Sequence, residues 1–373
     1  MTFTAADHAF MARALELAAR GLYSTDPNPR VGCVLVRRGE VVGESWHERA
    51  GEPHAEARAL KLAGERARGA TAYVTLEPCA HQGRTPPCAT ALIEAGVARV
   101  VYGAPDPDPR VNGAGAALLR AAGIEVADGC LRAACEALNP GFHTRLTRGW
   151  PFVRLKLAAS LDGRTALHNG ESRWITSEAA RGDVQRLRAR SSAILTGGGT
   201  VRTDDPRLTV RDSGLSLGGR TPLRVVVCGT QPLRADARVF REAGEAIVYT
   251  TDPTQNWLEP IRRIGVAVVA VGTEAHSERP SLDEVLKDLA ARGVNELLVE
   301  CGPELAGAFL AGDYVDELVL YQALTLLGPQ AAPLAALPRL ESLDRRLSFR
   351  LVDTRQVGAD IRLTLAPRRA QGD

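Results

Sequence analysis

The sequence predicts two α/β domains in tandem, each a sheet layered with helices. Three observations predict it. At 373 residues the chain exceeds what one hydrophobic core usually supports. Short apolar runs alternate with stretches of helical periodicity along most of its length. The alternation then restarts after Arg148-Gly149-Trp150-Pro151, where glycine and proline punctuate the chain. The boundary is expected within residues 146–151, giving domains of 1–147 and 148–373.

In the first domain, Ala5 to Ala19 carries apolar residues at helical spacing, and Val31 to Val36 is a short apolar run bounded by turn residues. Pro53 to Glu65 reads as a helix with proline in its first turn. Ala72 to Leu76 and Arg99 to Tyr102 read as strands, with Cys88 to Ala95 helical between them. Gly113 to Ala122 and Ile124 to Ala127 repeat helix and strand. In the second domain, the expected strands are Phe152 to Ala158, Ala193 to Thr196, Leu223 to Val227, Ala246 to Thr250, Val266 to Val271 and Glu296 to Val299. Ser177 to Arg190 and Leu282 to Arg292 are helical, and Ser348 to Ala366 resembles an antiparallel hairpin closing the sheet.

Composition narrows the function classes. The formal net charge is +2 and aromatic residues are 5% of the chain, so neither a basic field nor a stacking surface for nucleic acid is evident. The least polar long stretch, Leu318 to Leu337, is interrupted by Gln322, Gly328, Pro329 and Gln330, which argues against a membrane span. No secretory signal is visible in Met1 to Arg20. Seven cysteines without scaffold-like spacing suit a reducing cytoplasm. The expected partner is a small molecule, with neither nucleic acid nor membrane, and the chain is expected to form a homo-oligomer.

The sharpest motif is His54-Ala55-Glu56, followed by Pro78-Cys79 and then Cys88. One imidazole and two thiolates make three zinc ligands and leave a fourth position for water, the arrangement of a catalytic site. Glu56, at a helix start beside the ligand, can take the proton of that water and pass it to a leaving amine. The plain alternative is three unrelated buried side chains. For Cys33, Cys130 and Cys135 that plain reading, ordinary core cysteine, is the better one.

The pattern H-x-E…P-C-x-x-C marks zinc nucleobase deaminases, but here eight residues separate Cys79 from Cys88. That longer insert resembles the bifunctional deaminase/reductase family of riboflavin biosynthesis. The resemblance implies a cytidine-deaminase-like three-layer domain followed by a dihydrofolate-reductase-like domain. It further implies that Asn28, His47, His81, Arg84 and Asp106 contact the deaminase substrate. Asp108 stands where the family usually has asparagine.

Further phrases carry the resemblance through the second domain: Lys156-Leu157-Ala158, Ser172-Arg173-Trp174, Gly197-Gly198-Gly199-Thr200, Asp204-Asp205-Pro206-Arg207-Leu208-Thr209-Val210-Arg211 and Glu300-Cys301-Gly302-Pro303. It implies NADPH contacts at Ala158, Trp174, Thr200, Asp204, Gly229, Gly302 and Pro303, and substrate contacts at Ser172, Arg188, Leu208, Arg211 and Glu300. Cys228 and Cys301 depart from the family's usual residues beside the cofactor. The activities implied are hydrolytic deamination of 2,5-diamino-6-ribosylamino-4(3H)-pyrimidinone 5′-phosphate with one zinc ion per chain, then NADPH-dependent reduction of the ribosyl group to ribityl. Hydride transfer is expected to depend mainly on positioning, with Asp204 or Glu300 assisting ring opening. Two rival readings are an active deaminase with an impaired reductase domain, and a nucleic-acid base deaminase.

Overall fold

The computed structural model describes residues 2–80, 87–109, 111–274 and 278–368. The chain divides into two compact units: one runs to Gly149 and includes Ser216–Arg220, and the other takes Trp150–Leu215 and the chain from Thr221 onward.

The first unit begins with helix α1 (Ala5–Ala19), opened by a capping box between Thr4 and Asp7. Strands β1 (Gly32–Arg37) and β2 (Glu40–Trp46) form an antiparallel hairpin, and helix α2 (Ala55–Ala63) follows. Then come β3 (Thr71–Leu76), α3 (Cys88–Glu94), β4 (Arg99–Ala104), α4 (Ala114–Ala121) and β5 (Glu125–Asp128). Helices α5 (Arg132–Leu138) and α6 (Pro140–Arg148) close the unit. The sheet order is β2-β1-β3-β4-β5, and its core joins Met11, Leu35, Val74, Leu92, Val101 and Leu119. Sequence periodicity missed β2, α5 and α6. In β2 a glycine and two polar residues interrupt the apolar alternation, because the strand lies at the sheet edge with half its length against α2. A Cβ on Gly43 would stand 2.4 Å from the Ala59 carbonyl oxygen, so that contact needs glycine.

The second unit opens with β6 (Phe152–Ala159), the short β7 (Arg164–Ala166), α7 (Glu178–Arg190), β8 (Ala193–Gly197) and α8 (Gly198–Asp204). It continues through β9 (Leu223–Val227), α9 (Arg238–Arg241), β10 (Ala246–Thr250), α10 (Glu259–Arg263), β11 (Ala267–Ala270) and α11 (Leu282–Ala291). The last elements are β12 (Glu296–Glu300), α12 (Pro303–Ala311), β13 (Glu317–Gln322), β14 (Ala332–Pro333), β15 (Phe349–Val357) and β16 (Asp360–Pro367). Nine strands form one sheet in the order β11-β10-β9-β8-β12-β6-β13-β16-β15. It is parallel from β11 to β13, and the expected terminal hairpin β15–β16 adds its antiparallel edge. Alternate residues serve opposite faces: Leu195, Val225 and Ile247 join one core cluster, whereas Ile194, Val226 and Val248 join another.

Candidate active sites in the two units

Two helix starts and one post-strand loop of the first unit converge. His54 is the N-cap of α2, yet its ring makes no capping bond. It turns instead toward the thiols, with Nδ1 3.2 Å from Cys88 Sγ and 3.7 Å from Cys79 Sγ. Cys79 follows β3 by three residues, and Cys88 is the first residue of α3. The three ligand atoms lie within 4.8 Å of one another. Tetrahedral zinc with Zn–S of about 2.3 Å and Zn–N of about 2.0–2.1 Å requires ligand separations of about 3.6–3.8 Å. The donor set and its spacing therefore fit the ion.

The electrostatics suit metal binding as well. Hydrogen bonding from the Cys88 thiol, reinforced by His54 and the Cys88 N–H, holds the Cys79 thiol down at about 4. Cys88, bonded to Cys79 and buried, keeps its proton to well above the usual thiol range. The bond to Cys79 holds the His54 imidazolium above its ordinary value against the opposing effect of burial. A divalent cation replaces the protons that these groups share.

Glu56 occupies the first turn of α2, almost fully buried beside Cys88, and burial raises its carboxyl above the ordinary range. Across from it, Asn28 Nδ2 stands 3.1 Å from His47 Nε2, and His47 Nδ1 lies 3.3 Å from the Pro53 carbonyl. That carbonyl only accepts, so His47 donates through Nδ1 and accepts from the Asn28 amide through Nε2, as neutral imidazole does. Burial, together with His54, lowers its pKa to about 4, which agrees with that tautomer. The His47 and His54 rings meet edge to face at 5.3 Å. Asp106 is buried and accepts from the Asp108 N–H at 2.9 Å; burial first, then the charges of Asp108, Glu77 and Cys79, raises it to about 6. The expected contacts His81 and Arg84 lie outside the described residues.

In the second unit the expected residues gather at the carboxyl ends of β6, β8, β9 and β12, where open parallel sheets bind ligands. Pairing of β6 with β12 stops at Lys156–Glu300, so β6 runs on past its neighbour and leaves one edge open at Ala158. The β8–α8 turn supplies Gly198 and Thr200, and a Cβ on Gly198 would stand 2.7 Å from Cys228 Sγ. Gly302 opens α12 with Pro303 in its first turn, and a Cβ there would meet only Thr200 Oγ1, at 3.9 Å. A cleft runs from these turns past Gly229, Arg202 and Arg279. Bare backbone facing a cleft fits the close approach of a dinucleotide.

Two expected substrate contacts prove to be partners of each other. The Arg188 fork on α7 grips Glu300 through both oxygens, Nε–Oε1 2.6 Å and Nη2–Oε2 2.9 Å, while Nη1 donates to the Thr209 carbonyl at 3.0 Å. Burial opposes charge on Glu300, but Arg188, Lys156 and Arg211 hold its carboxyl below the usual range. Lys156, at the end of the β6–β12 pairing, was not singled out as a contact from sequence. Burial lowers its ammonium although Glu300 counteracts. Its scarcity was the available signal, for the only other lysines are Lys61 and Lys287. Arg211 is exposed, its N–H bonded to Gln185 and its guanidinium near Thr209. Arg173 donates to the Asp204 carbonyl at 2.5 Å, tying the Ser172–Trp174 segment to the end of α8. Trp174 is exposed, with the Arg181 guanidinium 4.2 Å over its ring.

Leu208 departs from expectation. Its backbone is left-handed (φ 52°) and its side chain is buried in the cluster of Ile194, Val201 and Val226. Any contact it makes with substrate is through backbone. Of the two cysteine departures, Cys301 packs against the core, whereas Cys228 lines the cleft and its Sγ donates to the Gln231 carbonyl at 3.2 Å.

Comparison with known proteins matches both units. Residues 4–104 match the cytidine and deoxycytidylate deaminase zinc-binding region, and residues 151–363 match the RibD C-terminal domain. Riboflavin biosynthesis protein RibD of Escherichia coli is 48% identical over 369 residues, covering 96% of this chain and 99% of that protein. The structure of Acinetobacter baumannii RibD superposes with a TM-score of 0.91 at 43% identity, covering 98% of this chain and 99% of that one. A Thermotoga maritima diaminohydroxyphosphoribosylaminopyrimidine deaminase/5-amino-6-(5-phosphoribosylamino)uracil reductase follows with a TM-score of 0.85 at 34% identity, covering 97% and 99%.

Proposed function

We infer the function from one premise: this chain belongs to the RibD family of bifunctional riboflavin-biosynthesis deaminase/reductases. It performs two consecutive steps, deamination of the diaminopyrimidinone ribotide 5′-phosphate and reduction of the ribosyl group of the product to ribityl. We assign the first step to residues 1–147 and the second to 148–373. The observation that carries the reading is the convergence of His54, Cys79 and Cys88 beside buried Glu56.

In the first step Asn28 and neutral His47 orient the pyrimidine ring, and Asp106 lines the same pocket. His54, Cys79 and Cys88 would hold one zinc ion, which when bound would supply the Lewis acidity that makes water nucleophilic near neutral pH. Glu56 accepts the proton from that water and delivers it to the departing amine. Its raised affinity for a proton suits a group that must both take and give one.

In the second step a bound NADPH would supply the hydride that reduces C1′. The open edge of β6 at Ala158, the turns at Thr200 and Gly302-Pro303, and Gly229, Asp204 and Trp174 hold the cofactor. Because Arg188 is already committed to Glu300, the substrate phosphate falls chiefly to Arg211, with Ser172 and the Leu208 backbone beside it. Glu300, anchored by Arg188, is held against the substrate ribose with Lys156 alongside.

Zinc-loaded protein given the diaminopyrimidinone ribotide should oxidise NADPH, followed by absorbance, in a reaction that requires Glu56. Ammonia release without NADPH oxidation would overturn the second half and leave a deaminase alone. We further propose a cytoplasmic homo-oligomer. The edge strand β15 is exposed along most of its length, with Leu351 and Val352 bare, which suits pairing with a second copy. No helix among the described residues is long and apolar enough to cross a membrane. Light scattering at a mass above 39.8 kDa would support the oligomer.

A further inference from the structure

Asn139 links α5 to α6, is almost fully buried, and bonds to a residue 109 positions earlier. Its Oδ1 accepts from the Arg30 backbone N–H at 2.8 Å and from Arg30 Nε at 3.3 Å, and its Nδ2 donates to the Arg30 carbonyl at 2.9 Å. A primary amide offers donor and acceptor side by side, so it can satisfy both backbone groups of one residue at once. Water does not reach this spot to replace either bond, and the pairing fixes the position of the Arg30 peptide groups.

The clamped residue lies between sheet and site. On one side, Gly32 begins β1; its N–H donates to Thr75 Oγ1 at 3.2 Å, and a Cβ there would strike the Ala14 carbonyl oxygen at 2.0 Å. On the other side, only Pro29 separates Arg30 from Asn28, and the proline ring holds its own φ nearly constant. Few soft dihedrals remain, so the position of the Arg30 backbone is passed to Asn28. That residue meets His47 at 3.1 Å, and His47 packs against His54.

We propose that Asn139 is a positioning residue of the deaminase, clamping the Arg30 backbone so that the Asn28 amide is presented to the pyrimidine ring. This rests on Asn28 being a ring contact. Asn139 touches neither the metal ligands nor Glu56 in any hydrogen bond, so its loss should weaken ring binding without changing the chemistry after binding.

The test is steady-state ammonia release by the full zinc-loaded chain, with zinc content measured in parallel. Asn139→Ala should raise the deaminase KM about tenfold, the scale of one or two lost hydrogen bonds, with kcat changed less than about twofold and one zinc per chain retained. Asn139→Asp keeps the acceptor bonds but turns an acceptor oxygen toward the Arg30 carbonyl in place of the donor, so it should raise KM by at least a comparable factor; it preserves side-chain volume and is the variant to read if the alanine protein does not fold. Asn28→Ala is measured beside them. If it raises KM while the Asn139 variants leave KM unchanged, the clamp is wrong and the ring contact stands. If Asn28→Ala itself leaves KM unchanged, the ring contact falls and the clamp with it. Loss of zinc or a kcat collapse in folded Asn139→Asp would also overturn the proposal, since either means a general disturbance of the site.

Discussion

The two units solve the problem of holding reactive groups in opposite ways. In the first, three side chains from separate helix starts and a loop point at one place, and their charges are arranged for a cation that replaces shared protons. In the second, the charged groups neutralise one another. Arg188 and Glu300 pair through two bonds with Lys156 and Arg211 near, while a separate cleft is lined by the glycines Gly197, Gly198, Gly199 and Gly229 together with Arg202 and Arg279. The difference teaches that a metal site concentrates its function in a few side chains, whereas a dinucleotide cleft spreads it over backbone shape. Single substitutions should therefore be severe in the first unit and graded in the second.

The contrast is sharpest at Glu56. Glu56→Gln should lower the rate of ammonia release by about 10²–10⁴-fold while retaining zinc and leaving reductase turnover on the deaminated ribotide unchanged. Release at near wild-type rate would remove Glu56 from the mechanism. In the second unit, Arg211→Ala should raise the reductase KM by about 10- to 100-fold, the scale of a charge-assisted phosphate contact, with deaminase kinetics unaltered. A loss of both activities would contradict separate sites.

A pair of glycines compares the units at the backbone. A Cβ on Gly115, at the start of α4, would stand 1.9 Å from the carbonyl oxygen of Pro78, the residue before the proposed zinc ligand Cys79. Gly115→Ala should cost about 1–3 kcal/mol of stability, read by denaturant melts, and weaken zinc retention. Gly302→Ala has room for its methyl and should change stability by less than about 0.5 kcal/mol. It should still weaken NADPH binding, measured by fluorescence quenching, because the methyl projects toward Thr200, another proposed cofactor contact. Equal effects at the two positions would erase the contrast.

The smallest effect expected is on acid stability of the first unit. Burial opposes ionisation of Asp7, but hydrogen bonds from Arg99, from the Thr4 N–H and hydroxyl, and from Tyr73 outweigh it and hold the carboxyl well below its ordinary value. The folded value lies below the unfolded one of about 3.9, so the stabilisation is complete above about pH 4 and is lost as pH falls through the folded value. Asp7→Asn should melt lower than wild type at pH 7, with the gap closing below pH 3. A constant gap across that range would show that Asp7 acts through packing alone.

Much of this was legible beforehand. His54, Cys79 and Cys88 stood out because an imidazole and two thiolates are the donors zinc takes, with Glu56 expected as the acid–base group beside them, and two helix starts and one loop bring these side chains together. Most of the parallel strands were legible as apolar runs, since buried strands need continuous apolar side chains, but β13 was not singled out, and the closing hairpin was read as a hairpin although its outer strand β15 is largely exposed. Edge strand β2 was not, because only part of it is buried. Leu208 read as a substrate contact because it sits among residues that face the cleft, and only its left-handed backbone turns its side chain into the core. Asn139 carried no signal at all, since an asparagine before a proline reads as an ordinary turn.

By itself, then, the sequence determined the residue types of the metal centre, the order of the two units and most of their strands, because local chemistry and periodicity act over a few residues. Only the tertiary structure decided which charges pair with which, as Arg188 does with Glu300, and which loop is clamped by which distant amide, as Arg30 is by Asn139. Those partners lie 112 and 109 residues apart. Packing chooses them, because each buried polar group must find a partner among whatever the folded chain brings beside it.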